Sequence, residues 1–178
     1  MRFRAAYWIT LLGMIVLDQA TKLWARETFR IGEAPGYPWP GVFEFTLTYN
    51  TGIAFGMLQG GGLFVAPIAV GIAGYVSYLS LYTKSEPNWR HVVWGLLAAG
   101  ALGNLYDRIV DGKVTDMFWF RLIDFPVFNV ADACITVSAT ALVVSTLFGH
   151  RKESETADAK AAEGPTPAVN ETGSASRE

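Results

Sequence analysis

The chain has 178 residues, of which 51% are apolar and only 17% charged, against about 25% charged in an ordinary soluble protein. Its formal net charge of -2, with no basic stripe, argues against nucleic acid as a partner. A single cysteine, Cys134, excludes an intrachain disulfide and a cysteine-rich zinc site, and two histidines, His91 and His150, leave little for a metal, so no metal site and no cofactor are expected.

Four long stretches carry no formal charge: residues 5–17, 45–83, 91–106 and 133–149. A membrane span needs about 20 mostly apolar residues, and backbone polar groups in lipid must be satisfied within a helix. Four transmembrane helices are therefore predicted, over residues 5–24, 63–82, 91–109 and 129–148. The start, Met1-Arg-Phe-Arg4, resembles the head of a secretory signal. No small-x-small cleavage pattern follows it and three more spans come after, so an uncleaved first helix is expected.

Between the first two helices, residues 42–49 alternate, with Phe43, Phe45, Leu47 and Tyr49 on one side and Glu44, Thr46 and Thr48 on the other. Period two with β-favouring residues predicts a short strand on the membrane surface. The third helix carries Gly95, Ala99 and Gly103 at four-residue spacing, a pattern that lets helices approach closely. Residues 151–178 are rich in Ala, Glu, Gly, Pro, Ser and Thr without apolar period, which predicts a disordered tail outside the fold. The expected fold class is an all-α integral membrane protein: a four-helix domain over 1–150, a small β-strand element and loops at one face, and a tail over 151–178.

Four antiparallel spans put the end of helix 1, the first loop, the end of helix 3, the second long loop and the start of helix 4 on one membrane face. Those places hold Asp18, Lys22, Asn50, Asn104, Asp107, Arg108, Asp116, Asn129 and Asp132. Ionisable groups at membrane depth are costly and tend to be functional. A thiol peptidase pair of Cys134 and His91 is excluded by the same topology, because His91 begins helix 3, about 24 Å from Asp107 at about 1.5 Å per residue, while Cys134 lies at the Asp107 side. The positive-inside rule is evenly balanced, and a site role for Lys22 and Arg108 tilts it toward a cytoplasmic N-terminus.

Asp116 lies in the loop after helix 3, and Asp132 falls where helix 4 begins. Separately, Asp116 reads as a solvated loop carboxylate, and Asn129 with Asp132 as a capping box. Together they suit peptide hydrolysis, in which one carboxylate takes a proton from water and a protonated partner holds the scissile carbonyl. Two close carboxylates share a proton naturally. Asn104, Asp107 and Arg108 occupy one face of helix 3, and Asp18 and Lys22 are at i, i+4, so plain salt bridges compete with a functional network. Asn50 reads either as part of a turn or as a backbone-binding amide. The same carboxylates would also serve a small membrane transporter or proton-relay protein, which should carry polar groups along a path to the opposite face.

Five segments in order, Leu17-Asp-Gln-Ala-Thr-Lys22, Tyr49-Asn-Thr-Gly-Ile-Ala-Phe55, Gly100-Ala-Leu-Gly-Asn-Leu-Tyr-Asp-Arg108, Val114-Thr-Asp-Met117 and Phe128-Asn-Val-Ala-Asp-Ala133, make the chain resemble the lipoprotein signal peptidases, also called signal peptidase II. The resemblance implies an aspartic endopeptidase with Asp116 and Asp132 as the catalytic dyad. It implies Asn50, Asn104, Arg108 and Asn129 at the substrate, supported by Asp18, Lys22 and Asp107. It further implies a prolipoprotein substrate, cleaved just before a cysteine already carrying diacylglycerol, in the bacterial inner membrane with the site at its outer, periplasmic face and both termini cytoplasmic. The lipid bilayer is the remaining partner, and globomycin the expected inhibitor. Met117 stands where the family commonly has Phe, Cys134 where Ser is frequent, and the stretch between the two aspartates is short.

Overall fold

The computed structural model describes residues 2–52, 62–83 and 86–162. The chain divides into two compact units, Met1–Leu142 and Val143–Glu178, and everything that positions the site lies in the first. The elements in order are α1 (Arg2–Thr28), β1 (Pro38–Trp39), β2 (Phe43–Asn50), a single 3-10 turn at Gly62–Val65, α2 (Ala66–Tyr82), α3 (Asn88–Val110), β3 (Val114–Trp119), a second 3-10 turn at Arg121–Ile123 and α4 (Val130–Ala162). The bounds of α4 take in residues that the sequence reading assigns to the tail, while 163–178 of that tail lie outside the described residues.

A helix is present at each of the four expected places; α1, α2 and α3 keep within a few residues of their expected limits, while α4 begins as expected and runs on to Ala162. Two of them, Gly62–Tyr82 and Val130–Phe148, are long and apolar enough to cross a membrane, each with a mean hydropathy of 1.7. α1 and α3 carry the polar network at their C-terminal halves and are less apolar for that reason. α3 is the central helix, packing against both α1 and α2. Its small residues allow this. A Cβ on Gly95 would lie 2.8 Å from the Tyr7 carbonyl oxygen of α1, and one on Gly100 would run into the Ala131 carbonyl oxygen of α4. Small residues at a helix interface are what permit such close backbone approach. One core cluster joins Tyr7, Leu11, Ala73, Val76, Trp94, Ala98 and Ala99. At that end His91 meets Ser80 Oγ at 3.0 Å, far from the carboxylates.

The sheet is antiparallel in the order β1-β2-β3. The sequence shows the β2 alternation and passes over β1 and β3. Register shifts between Phe45 and Thr48, and this bulge places neighbouring Thr46 and Leu47 both in the interior. Leu47 joins Met117, Ala25 and Phe29 in a second core cluster beneath the sheet. Glu44, on the polar side of the alternation, is fully buried, accepting from Gly41 N at 2.6 Å and Arg121 Nη1 at 2.9 Å. Those contacts, the Gly41 N–H first, hold its carboxyl below the usual range.

The loop placement expected for Asp116 is corrected. It sits on β3, paired with Thr48 of β2. α3 ends at the Asp111 cap, and Gly112 follows with φ of 70°, the left-handed conformation glycine adopts without a Cβ clash. The chain therefore reverses at once into β3, and the Thr115 N–H donates to Asp107 Oδ2 at 3.1 Å. Too few residues separate helix from strand for the alternation to stand out in sequence.

Candidate active site

The cap of α4 brings the two candidate carboxylates together. Asn129 precedes the helix, its Oδ1 accepting from Asp132 N at 2.9 Å, while Asp132 Oδ2 accepts from Asn129 N at 3.2 Å. This is a reciprocal capping box. With Oδ1 committed to the cap, Asn129 must point Nδ2 the other way. Its two N–H groups are shared among Asp116 Oδ1 at 2.6 Å, Asn104 Oδ1 at 3.1 Å and the Thr115 carbonyl at 3.2 Å. Asn104 Nδ2 in turn donates to Asp132 Oδ1 at 2.7 Å. The capping box is present and leaves room for a joint role of the pair, since one asparagine both starts the helix and ties Asp116 to Asp132.

Behind this pair lies a buried charge network. Lys22 Nζ is 2.8 Å from Asp18 and 3.0 Å from Asp107, with all three side chains at most 1% exposed. It also donates to Asn104 Oδ1 at 3.1 Å. That bond sets the orientation of the Asn104 amide, so that Nδ2 faces Asp132. Asp18 Oδ1 accepts from Ala131 N at 2.9 Å, pinning α4 to α1. The i, i+4 pair of Asp18 and Lys22 is a salt bridge as its spacing allows, and Asp107 completes it from α3.

Arg108 departs from its neighbours on α3. Among the described residues it forms no ion pair; instead its Nη atoms donate to backbone carbonyls, Asn104 O at 3.1 Å and Gly52 O at 3.0 Å. Its Nε is buried without a partner among those residues. A guanidinium fork in this position is suited to holding peptide carbonyls. Asn50 accepts from Gly52 N at 2.9 Å, the turn of its simpler reading, and so reaches the site through the residue that Arg108 holds. The motif residues 53–55 lie outside the described residues.

Residues 10–148 match the family model described as signal peptidase (SPase) II. The chain belongs to the signal peptidase II family. Among its relatives, the lipoprotein signal peptidase of Gloeobacter violaceus is 38% identical over 150 residues, 84% of each chain. That of Cyanothece sp. is 37% identical over 141 residues, 78% of this chain and 82% of that one. A solved bacterial membrane enzyme superposes with a TM-score of 0.74 at 29% identity, covering 80% of this chain and 88% of that one.

Burial pushes the Asp116 carboxyl up to about 8, the neighbouring Asp132 charge adds to the rise, and the Asn129 hydrogen bond opposes it. Among the described residues no group of three or more His, Cys, Asp or Glu side chains is arranged to hold a metal. Cys134 is free and buried, and Met117 is fully buried. Sequence reasoning missed Gln19, whose Nε2 donates to Asp18 Oδ2 at 3.1 Å and Asp107 Oδ1 at 3.0 Å. Residues one apart on a helix do not share a face, so no spacing rule links Gln19 to Asp18; a polar residue in an apolar span is the signal it does leave.

Proposed function

We propose that this protein is a membrane aspartic endopeptidase that removes the signal peptide from diacylglyceryl-modified prolipoproteins, cutting just before the lipidated cysteine. The observation that carries the reading is the Asn129 amide, which binds Asp116 and at the same time caps the helix that presents Asp132. The pair shares one proton at neutral pH, because burial and the neighbouring charge lift the Asp116 carboxyl to about 8. Protonated Asp116 hydrogen-bonds the scissile carbonyl oxygen, and ionised Asp132 takes a proton from the attacking water. Water oxygen bonds to the carbonyl carbon. When the tetrahedral intermediate collapses the C–N bond breaks, and the proton on Asp132 passes to the leaving nitrogen. Asn104 and Asn129 hold the two carboxylates, Arg108 and Asn50 take substrate backbone, and Asp18, Lys22 and Asp107 brace the assembly.

α1, the Gly62–Tyr82 segment, α3 and the apolar part of α4 are read as four spans in the bacterial inner membrane. Their exposed surfaces support this: Ile9, Leu12 and Val16 on α1 and Ile68 and Tyr75 on α2 are each more than half exposed, as lipid-facing side chains are. The fold occupies 1–150, with 151–178 a cytoplasmic tail. The carboxylates, at the C-terminal ends of α1 and α3 and the start of α4, sit at the periplasmic face with both termini cytoplasmic. Concentration of the buried charges at that one end favours a peptidase over a transporter. Incubating purified protein with a diacylglyceryl-modified prolipoprotein should produce a mass loss equal to the signal peptide, blocked by globomycin. Substrate that stays intact, or cleavage that survives both Asp116→Asn and Asp132→Asn, would refute the reading.

A further inference from the structure

Neighbouring residues on a strand point to opposite faces, and while Asp116 turns to Asn129, Thr115 turns to α1, where its Oγ1 accepts from Arg26 Nη1 at 3.1 Å. On this second side the ends of α1 and α3 leave a cleft of about 450 Å3. Arg26, Asp111 and Lys113 line it together with Leu23, Val110 and Tyr49. Arg26 Nη1 lies 3.1 Å from Asp111 Oδ2, leaving its Nε and Nη2 for a ligand among the described residues. Lys113 Nζ stands 3.6 Å over the Tyr49 ring, which fixes the ammonium without neutralising it. Two cations face one carboxylate, an excess of one positive charge that complements a phosphate. Asp111, with a side chain 38% exposed, is open to an ammonium. Leu23 and Val110 are 52% and 58% exposed and, on the four-span reading above, face acyl chains at headgroup depth.

We propose that this cleft seats the headgroup of a zwitterionic phospholipid with a primary ammonium, its phosphate on Arg26 and Lys113, its ammonium on Asp111 and its acyl chains along Leu23 and Val110. The proposal rests on the membrane reading, not on the cleavage reaction. Because Arg26 also holds Thr115, the bound lipid braces the strand that carries Asp116.

Native mass spectrometry of the full chain in detergent tests this with phosphatidylethanolamine, phosphatidylcholine, phosphatidylglycerol and inorganic phosphate as probes. Phosphatidylethanolamine should be retained about tenfold better than phosphatidylcholine, whose methylated nitrogen cannot donate, the worth of one charge-assisted hydrogen bond. Lys113→Gln should weaken phosphatidylethanolamine and phosphatidylglycerol alike, and Asp111→Asn should erase the preference over phosphatidylcholine while phosphate binding persists. Arg26 is left intact because it supports Thr115. Equal retention of phosphatidylethanolamine by the wild type and Lys113→Gln would overturn the proposal, as would full competition by inorganic phosphate, which marks a plain anion site. A chain that stays in solution without detergent would sink the membrane reading itself. Neither readout uses cleavage, so a failure of the peptidase assignment is seen separately.

Discussion

Replacing Lys22 by methionine keeps the length of the side chain and deletes its charge. The ammonium is fully buried, 2.8 Å from Asp18 and 3.0 Å from Asp107, whose side chains are 1% and 0% exposed. Breaking a buried pair from one side costs about 3–5 kcal/mol because the partner charge stays behind without solvent. Here two carboxylates are stranded, and protonation of one offsets part of the added repulsion, so that range stands. At roughly 2–4 °C per kcal/mol for a chain of this size, Tm should fall by about 6–20 °C. The folded fraction should also lose turnover. Asn104 Oδ1 no longer has the ammonium at 3.1 Å, so its amide is free to turn Nδ2 away from Asp132. Adding Asp107→Asn to Lys22→Met removes one stranded charge and should restore part of the Tm but little of the turnover. Thermal unfolding in detergent and single-turnover cleavage on the same preparation measure both effects. A Tm for Lys22→Met within about 1 °C of wild type would refute the reasoning, since an unpaired buried carboxylate cannot be so cheap.

Cleavage should decline as pH rises through about 8, where Asp116 loses its proton. The Asp116 carboxyl is raised above its ordinary 3.8, so its contribution to stability is complete below that value, is lost progressively as pH rises from there through about 8 and changes no further above it; Asp116→Asn, expected to be inactive, should therefore gain Tm relative to wild type as pH rises from about 5 to about 8, and a gap that stays constant across that window would contradict the burial of this group. Gly100→Ala places a Cβ against the Ala131 carbonyl oxygen and 2.7 Å from Ile135 Cγ1, so α3 and α4 must part, at a cost of about 1–3 kcal/mol and with Asp132 drawn off Asn104; unchanged turnover would show that the helices tolerate the separation. Arg108→Lys keeps the charge but not the fork that spans Asn104 O and Gly52 O, and should cut cleavage and globomycin binding with the fold retained; lost Tm with normal turnover would make Arg108 a structural residue. Truncation after residue 150 should leave turnover and Tm close to wild type, and a large loss of either would show that 151–178 supports the fold or the site.

The sequence by itself determined the four helices, because long charge-free stretches have few other fates, and it placed the polar residues at one end by counting spans. It also identified the family, since five motifs in order narrow it even where each motif is weak. Three things were decided only by the tertiary structure. The strand holding Asp116 is six residues long and follows a glycine turn, too short for its own periodicity; its existence depends on pairing with β2. Lys22 chooses between one and two carboxylates according to how closely α1 approaches α3, and that distance is set by glycines such as Gly103, where a Cβ would meet Asp18 Oδ2 at 2.7 Å. Asn129 could be read as a cap from its spacing to Asp132, but its second amide group finds Asp116 only when β3 and α4 converge. Local pattern specifies which groups a segment offers; which of them meet is fixed by packing between segments distant in the chain.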